Sequence, residues 1–449
     1  MTEAAAQAGE VDTRTVKRAV IASAMGNATE WFDYGVFTSG AIATSIGTVF
    51  FPGGGGNAVL KSLALVAIGF VVRPFGGAFF GPLGDKIGRQ RVLALTILLM
   101  SGCTFLVGCV PTYGAIGFAA PVLVVLLRLI QGFSTGGEYG GAATFIAEYA
   151  PTRRRGFWGS FLEFGTLTGY VLGNIVVLAV TLSFSAAEVE AWAWRIPFFI
   201  ALPLGLIGLY LRSKLEDTPE FKRLDAAGQK SAKAPLRETL VRNWRMILNL
   251  MGIVLLLNIA DYMLLTTMPT YFTDTLKIND NTSTLIIIGV EVVQMALIAP
   301  LGALSDRIGR KPMLLTAAIG YLVLSYPAIK LMQGGNIGLL ILGFGITALL
   351  LLLMLAVIGS TFPAMFPTRV RYGSFAIGYN VSTSVFGGTC GVIVTALVQS
   401  TGNKDWPAVY LMIAAAIALV PILLIPETAR VPISKVDTDT MSRNVAAAN

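Results

Sequence analysis

The strongest constraint on this chain is a series of apolar stretches, each about twenty residues long, that recurs from near Val16 to Ile425. A bilayer core about 30 Å thick takes roughly 20 apolar residues to cross as a helix, whose backbone groups all bond internally. The stretches read as spans at 18–44, 58–82, 92–111, 119–148, 157–183, 193–211, 246–272, 283–304, 313–332, 337–364, 374–400 and 407–425. A water-soluble core is excluded on composition. Hydrophobic residues make up 55% of the 449, charged residues 13%, and mean hydropathy is +0.72, which leaves too little polar surface to cover such an interior. The expected fold is an all-α membrane protein of twelve transmembrane helices. The polar opening MTEAAAQAGEVDTRTVKRAV carries no cleavage site, so the first span reads as a retained helix and not as a signal peptide.

Twelve spans place both termini on one side. Most of the 33 lysines and arginines fall in segments that this count groups together. They are Arg14, Lys17 and Arg18; Lys86, Arg89 and Arg91; Arg153, Arg154 and Arg155; the run from Arg212 to Arg245; Arg307, Arg310 and Lys311; Arg369 and Arg371; and the tail. Positive loops stay in the cytoplasm, so both termini are expected inside. The net charge of +8 then follows from topology and contact with anionic lipid headgroups, with no call for nucleic acid. The chain has no histidine, so histidine triads and histidine-held metals are excluded and any proton relay must use carboxylates. Cys103, Cys109 and Cys390 fall within spans, lack metal-type spacing and read as packing residues, so no metal or cofactor is implied. The glycine run at 53–56 lacks the Gly-Lys-Ser/Thr ending of a phosphate loop and reads as an external loop.

An internal repeat divides the chain. GPLGDKIGRQRVL at 81–93 returns as GALSDRIGRKPML at 302–314, matching Asp85, Gly88 and Arg89 to Asp306, Gly309 and Arg310. APTRRRGFWGS at 150–160 parallels FPTRVRYGSF at 366–375, matching Arg153 to Arg369. In each half the first motif joins spans two and three and the second joins four and five, so the halves are parallel six-helix bundles. The expected organisation is a cytoplasmic N-terminal segment (1–17), a first bundle (18–211), a charged connector too short for its own core (212–245), a second bundle (246–425) and a polar tail (426–449).

The repeated GxLxDxxGR loop resembles that of the major facilitator superfamily, and the resemblance covers nearly the whole chain. NATEWFDYGVF, VRPFGGAFFGPLGDKIGR, QGFSTGGEYGGAATFIAEYAPTRRRGF and WRIPFFIALPLGLIGLYLR resemble its metabolite:proton symporters. DYMLLTTMPTYF, FPAMFPTRVRYGS and LEDTPEF are most similar to the osmoprotectant (proline and glycine betaine) symporters of that group. The resemblance implies a monomeric carrier in a bacterial inner membrane, with two bundles rocking about a central cavity and solute moving with protons. Some of those symporters carry a long C-terminal coiled coil. Here the tail after the last span has no heptads, which puts such a role in doubt. The rival within the class is a symporter of organic acids such as citrate, 2-oxoglutarate, shikimate or aromatic acids. A channel or a membrane enzyme are the rivals outside it, the latter needing a nucleophile, metal or phosphate motif that is not found.

The residues that would carry transport are polar side chains inside spans. An ionised side chain at mid-bilayer costs roughly 3 kcal/mol on insertion scales, so one that is retained reads as functional or as half of an ion pair. Glu30 and Asp33 stand three apart in the first span with Asn27 one turn earlier, so all three are expected on one helix face. Glu30 and Asp33 are assigned to proton coupling, with Glu138, Asp261 and Glu291 as further candidates. Arg128, with Gln131 one turn on, is the candidate for a solute carboxylate because guanidinium offers a planar fork. Arg73 is similar but nearer the cytoplasmic end. Asn258 pairs with Asp261 on span seven, and Glu291 with Gln294 on span eight, so both could face Glu30 and Asp33 across the cavity. Gly136 with Gly140, and Gly137 with Gly141, are spaced for close helix contact. An aromatic cage for a quaternary ammonium could use Trp31, Tyr34, Tyr139 and Tyr262. Asp85 with Arg89, and Asp306 with Arg310, read as latches, and Arg153, Arg369, Glu148 and Glu163 complete the gating set, the two glutamates as partners of loop arginines. Arg195, flanked by Trp192 and Trp194, reads as an interface anchor.

Overall fold

Inside a bilayer every backbone donor and acceptor must find a partner along its own segment, so each apolar stretch winds into one long helix. The computed structural model describes residues 13–51, 58–215, 217–218 and 236–433. The helices of the first half are α1 Thr13–Thr38, continued beyond Ser39 by Gly40–Phe50, then α2 Ala58–Ile87, α3 Arg89–Cys109, α4 Ala119–Tyr149, α5 Phe161–Ser183 and α6 Ile196–Ser213. Those of the second half are α7 Leu236–Tyr262, α8 Asp280–Ile308, α9 Arg310–Met332, α10 Ile337–Thr361, α11 Arg371–Ser382 and α12 Trp406–Leu424. α7 widens into π-helical turns at Met263–Thr267 and Tyr271–Thr275, and α11 widens at Thr383–Gly387 before running on as Gly388–Thr401. Among the described residues, α2 to α12 are each long and apolar enough to cross a membrane. α7 begins ten residues before the expected 246. The glycine run at 53–56, most of the connector (219–235), the first twelve residues and the tail from 434 lie outside the described residues.

α1 misses that criterion because Arg14, Lys17, Arg18, Glu30 and Asp33 interrupt it, and it is held by packing. On α5, Gly165, Gly169 and Gly173 sit against the carbonyls of Ala24, Ala28 and Phe32. A Cβ at Gly169 would stand 2.1 Å from the Ala28 oxygen, so only glycine lets the two backbones meet. Between helices in lipid the hydrophobic effect contributes little, and such close packing is what associates them. α4 approaches α2 in the same way, with Gly136 against the Arg73 carbonyl and Gly132 against that of Gly69. Gly140 instead faces Ala376 of α11, and across the seam between halves α2 packs on α11 and α5 on α8.

The repeat seen in sequence is a repeat in space. Gly88 and Gly309 turn the chain between α2 and α3 and between α8 and α9 with φ of 108° and 102°, a region costly for any residue with a Cβ. A third matched pair appears here. Asp217 accepts the Arg89 N–H at 3.1 Å, and Glu427 accepts those of Arg310 and Lys311 at 3.1 and 3.0 Å, so each carboxylate caps the positive end of a helix. Cys103 and Cys390 are buried as expected, whereas Cys109 is exposed because it ends α3 where packing stops. Arg195 donates to the Gly108 and Val110 carbonyls, tying the start of α6 to the end of α3.

Candidate functional site

Glu30 and Asp33 point from α1 into the first bundle and each meets an arginine. Arg73 of α2 donates one Nη to Oε1 of Glu30 at 2.7 Å and to the Tyr34 hydroxyl at 2.6 Å, with its guanidinium 4.7 Å from the Phe70 ring. Arg128 of α4 donates to Oδ2 of Asp33 at 2.6 Å and to Gln131, and lies 3.3 Å over the Phe37 ring. Thr104 of α3 donates to the other Asp33 oxygen at 3.1 Å, and Gln131 donates to Thr104 at 2.7 Å, which closes the network. All four charged side chains are buried, so each pair depends on its partner to offset desolvation. Oε2 of Glu30 and Nη2 of Arg128 have no hydrogen-bond partner among the described residues. A pocket of about 10 Å³, the room of one water, is walled by both carboxylates, Arg128, Gln131 and Thr135 and so adjoins both pairs.

Asn27 is not on this face. It donates to the Leu162 carbonyl at 3.0 Å and to Thr166, so it fastens α1 to α5; three and six residues on, the helix has turned Glu30 and Asp33 away from that contact. Glu138 is held by both Nη atoms of Arg212 and by Thr96, and it clamps α4 to α6 and α3 in place of facing a cavity. Gly26 of α1 admits that arginine, since a Cβ there would collide with it.

The aromatic residues cluster where the halves meet. Trp31 lies 5.3 Å from Tyr34 and 6.0 Å from Tyr262 of α7, with Phe70 5.2 Å from Tyr262. Tyr139 stands apart from these and stacks on Tyr379 of α11 at 4.1 Å. Its hydroxyl donates to Glu163, so Glu163 faces a tyrosine across the bundle and not a loop arginine. Asn258 accepts from Thr383 at 3.2 Å, and Gln294 donates to the Ala348 carbonyl of α10 at 2.8 Å. Asp261 and Glu291 do not pair with Glu30 or Asp33. Both are buried, and both Glu291 oxygens lack a partner among the described residues.

The face that carries the repeated loops is sealed. Asp85 accepts the Gly373 N–H at 2.9 Å, and Asp306 accepts those of Gly156 and Phe157 at 2.7 and 2.9 Å, so each carboxylate sits on the opposite half at the start of a helix. Arg89 reaches Glu148, Thr218 and the Thr368 carbonyl, while Arg310 reaches the Ser360 and Thr428 carbonyls. Arg153 and Arg369 are exposed. The buried arginine of each motif lies two residues on. Arg155 donates to the Ala147 and Val431 carbonyls, and Arg371 to the Pro363 carbonyl and to Glu148 at 2.5 Å. Reading past the third matched position of the motif to the next basic residue, PTRxR in both copies, would have found them. On the opposite face a cavity of about 620 Å³ opens between the halves, lined among others by Tyr170, Thr266 and Ile287.

Two pseudo-equivalent six-helix bundles, hydrogen-bonded to each other across one face and enclosing buried ion pairs beside their seam, define a multi-pass membrane transporter of the major facilitator fold. The chain belongs to the sugar (and other) transporter family, which matches residues 19–439. It is 43% identical over 432 residues to the glycine betaine/proline/ectoine/pipecolic acid transporter OusA of Dickeya dadantii, covering 94% of this chain and 86% of that one. The same identity and coverage hold for the proline/betaine transporter of Escherichia coli K12. The ectoine/proline transporter ProP of Corynebacterium glutamicum is 38% identical over 437 residues, at 94% and 86%. In structure the chain resembles the proton:xylose symporter XylE bound to 6-bromo-6-deoxy-D-glucose, with a TM-score of 0.77, 17% identity, and 95% and 99% of the two chains covered, which bears on the fold.

Proposed function

We propose that the protein is a proton-coupled symporter of small zwitterionic osmolytes of the proline and glycine betaine type, working by alternating access. The observation that carries this reading is the Arg128–Asp33 pair at 2.6 Å with Nη2 of Arg128 unpaired beside the small pocket. Protonating Asp33 removes the charge that holds Arg128, and the guanidinium then has a fork free for a solute carboxylate. Proton and solute thereby load one site together. Glu30 and Arg73 form a second such pair one turn away, and Tyr34 keeps Arg73 in place. Trp31, Tyr34 and Tyr262 supply ring faces to an alkylated ammonium, joined by Phe70 and Tyr379, which sequence reasoning did not single out. The names of the relatives support the osmolyte class. An organic-acid carrier is less well supported, because Arg73 and Arg128 each already face a carboxylate.

In this reading the basic face lies in the cytoplasm with both termini, as the positive-inside rule has it, and the protein sits as a monomer in a bacterial inner membrane. The division at 212–245 into two rocking bundles follows. Asp85, Arg89, Glu148, Asp306 and Arg310 are the inner gate, with Arg155 and Arg371 in place of the exposed Arg153 and Arg369, and the cavity lined by Tyr170 opens outward. The test is uptake of labelled proline and glycine betaine by proteoliposomes of the purified protein. Saturable accumulation driven by an alkaline interior and abolished by an uncoupler is expected. Uptake of citrate or shikimate without either osmolyte would replace the substrate class, and gradient-independent flux that does not saturate would replace the mechanism.

A further inference from the structure

At the two ion pairs of the first bundle, Oε2 of Glu30 and Nη2 of Arg128 have no hydrogen-bond partner among the described residues, although both residues are almost completely buried. Their other polar ends are engaged. Oε1 of Glu30 accepts from Arg73 at 2.7 Å, and Nη1 of Arg128 donates to Oδ2 of Asp33 at 2.6 Å. A charged acceptor and a charged donor left unpaired in the interior are unfavourable, and such groups in folded proteins are met by protein or by ordered water. Both residues wall the pocket of about 10 Å³ that lies between α1, α2, α3 and α4.

The pocket selects its occupant by size and by polarity. Its volume is that of one water-sized sphere, too small for any zwitterionic solute, and a buried water needs two to four polar partners. A water accepts from Nη2 of Arg128 and donates to Oε2 of Glu30 at once, with the Thr135 hydroxyl and the Gln131 amide on the same wall. A metal ion suits the pocket poorly, because Arg128 brings an N–H and a positive charge to the same space. The described residues also show no cluster of three acidic, cysteine or histidine ligands. Asp33 walls the pocket too, so its occupant adjoins both carboxylates, each of which is turned to its own arginine. On the helices packed against α1, Glu138 of α4 and Glu163 of α5 have other partners, Arg212 and Tyr139, and Tyr34 accepts from Arg73.

We propose that this pocket holds one water that relays a proton between Glu30 and Asp33, so that the two ion pairs share a single transported proton. This assignment rests on the proton-coupled reading above. Neutral Asp33 gives its proton to the water oxygen while the water gives one of its own to Oε2 of Glu30. Asp33 ends ionised and paired with Arg128, Glu30 ends neutral, and the water is restored. The reverse step carries a proton taken up at Glu30 to Asp33 and frees Arg128 for solute. A solute carboxylate on Nη2 takes the place of the water and cuts the relay, which keeps the proton on Asp33 while solute is bound.

The test uses the full-length purified protein, in detergent for infrared difference spectra between acid and alkaline buffer and in proteoliposomes for transport. Gly69 is part of the pocket wall, and a Cβ there stands 3.7 Å from the Arg128 carbonyl, an ordinary contact, so Gly69→Ala takes up pocket space without forcing α2 off α4. Spectra in heavy-oxygen water are expected to show a water O–H band that shifts with the isotope, changes with pH and disappears in Gly69→Ala. In that variant pH-driven accumulation of glycine betaine should slow about tenfold more than exchange of labelled for unlabelled solute, the size of one lost hydrogen-bonded link. If Gly69→Ala does not fold, Thr135→Val, which keeps the shape and removes a polar partner of the water, is read in the same two ways. A wild type without an isotope-sensitive band overturns the water. Equal slowing of accumulation and exchange where the band is lost overturns the relay, and accumulation driven by sodium in place of pH overturns both by putting a cation in the pocket. The expected band in a wild type that shows no pH-driven accumulation overturns the coupled reading, and the relay with it, but leaves the water.

Discussion

Asp306 accepts the backbone N–H of Gly156 at 2.7 Å across the seam between the bundles, and Asp85 makes the matching bond to Gly373 at 2.9 Å. A carboxylate at a helix start is stabilised by the unpaired N–H groups there, and in this geometry it also joins the two halves. Asp306→Asn combined with Asp85→Asn should therefore open the basic face more often without unfolding either bundle. Hydrogen exchange at the 156–157 and 373 amides is expected to rise by about tenfold, the effect of losing one charge-assisted bond. Unchanged exchange would mean that packing alone seals this face.

Asp33→Asn keeps the shape of the carboxylate and removes its titration. Accumulation driven by a pH gradient should be lost, while exchange of labelled for unlabelled solute across proteoliposomes persists, because exchange needs no net proton movement. Full pH-driven accumulation in this variant would remove Asp33 from the coupling step.

Glu148 is shared by Arg89 and Arg371, and all three are almost completely buried. Glu148→Ala removes the carboxylate that the two guanidinium groups share, a change expected to cost about 3–5 kcal/mol. Thermal unfolding in detergent should drop accordingly, and a loss no larger than that of an exposed-site substitution would show that water replaces the glutamate.

Gly169→Ala puts a methyl group 2.1 Å from the Ala28 oxygen, where the nearest atoms are backbone and cannot rotate away. Forcing α1 off α5 should cost about 1–3 kcal/mol and shift Glu30 and Asp33 from their arginines. Lower thermal stability together with a weakened glycine betaine affinity is expected; stability equal to wild type would show that the interface has room.

The twelve-helix architecture and the two matched turns at Gly88 and Gly309 were legible because each depends on local pattern. Apolar length sets a span, and the repeated Asp-x-x-Gly-Arg motif needs glycine at a left-handed turn whatever surrounds it. Which charge meets which was not legible. Glu30, Glu138 and Glu163 are all acidic residues within spans, yet one meets an arginine next to the pocket, one is clamped by Arg212 from α6 and one accepts from Tyr139. Asn27 looked like a companion of Glu30 from its spacing, but three residues turn a helix by about 60° short of a full circle, enough to aim Asn27 at α5 and Glu30 at α2.

Length, hydropathy and repetition within the chain were enough to establish a membrane-spanning bundle of two like halves with titratable groups in its first helix, since these follow from the solvent and from chain geometry. The pairing of Asp33 with Arg128, the burial of Arg155 and Arg371 in place of Arg153 and Arg369, and the unpartnered state of Glu291 were decided by helix packing. Side chains distant in the chain become partners only when glycine contacts set how closely, and at what rotation, their helices approach.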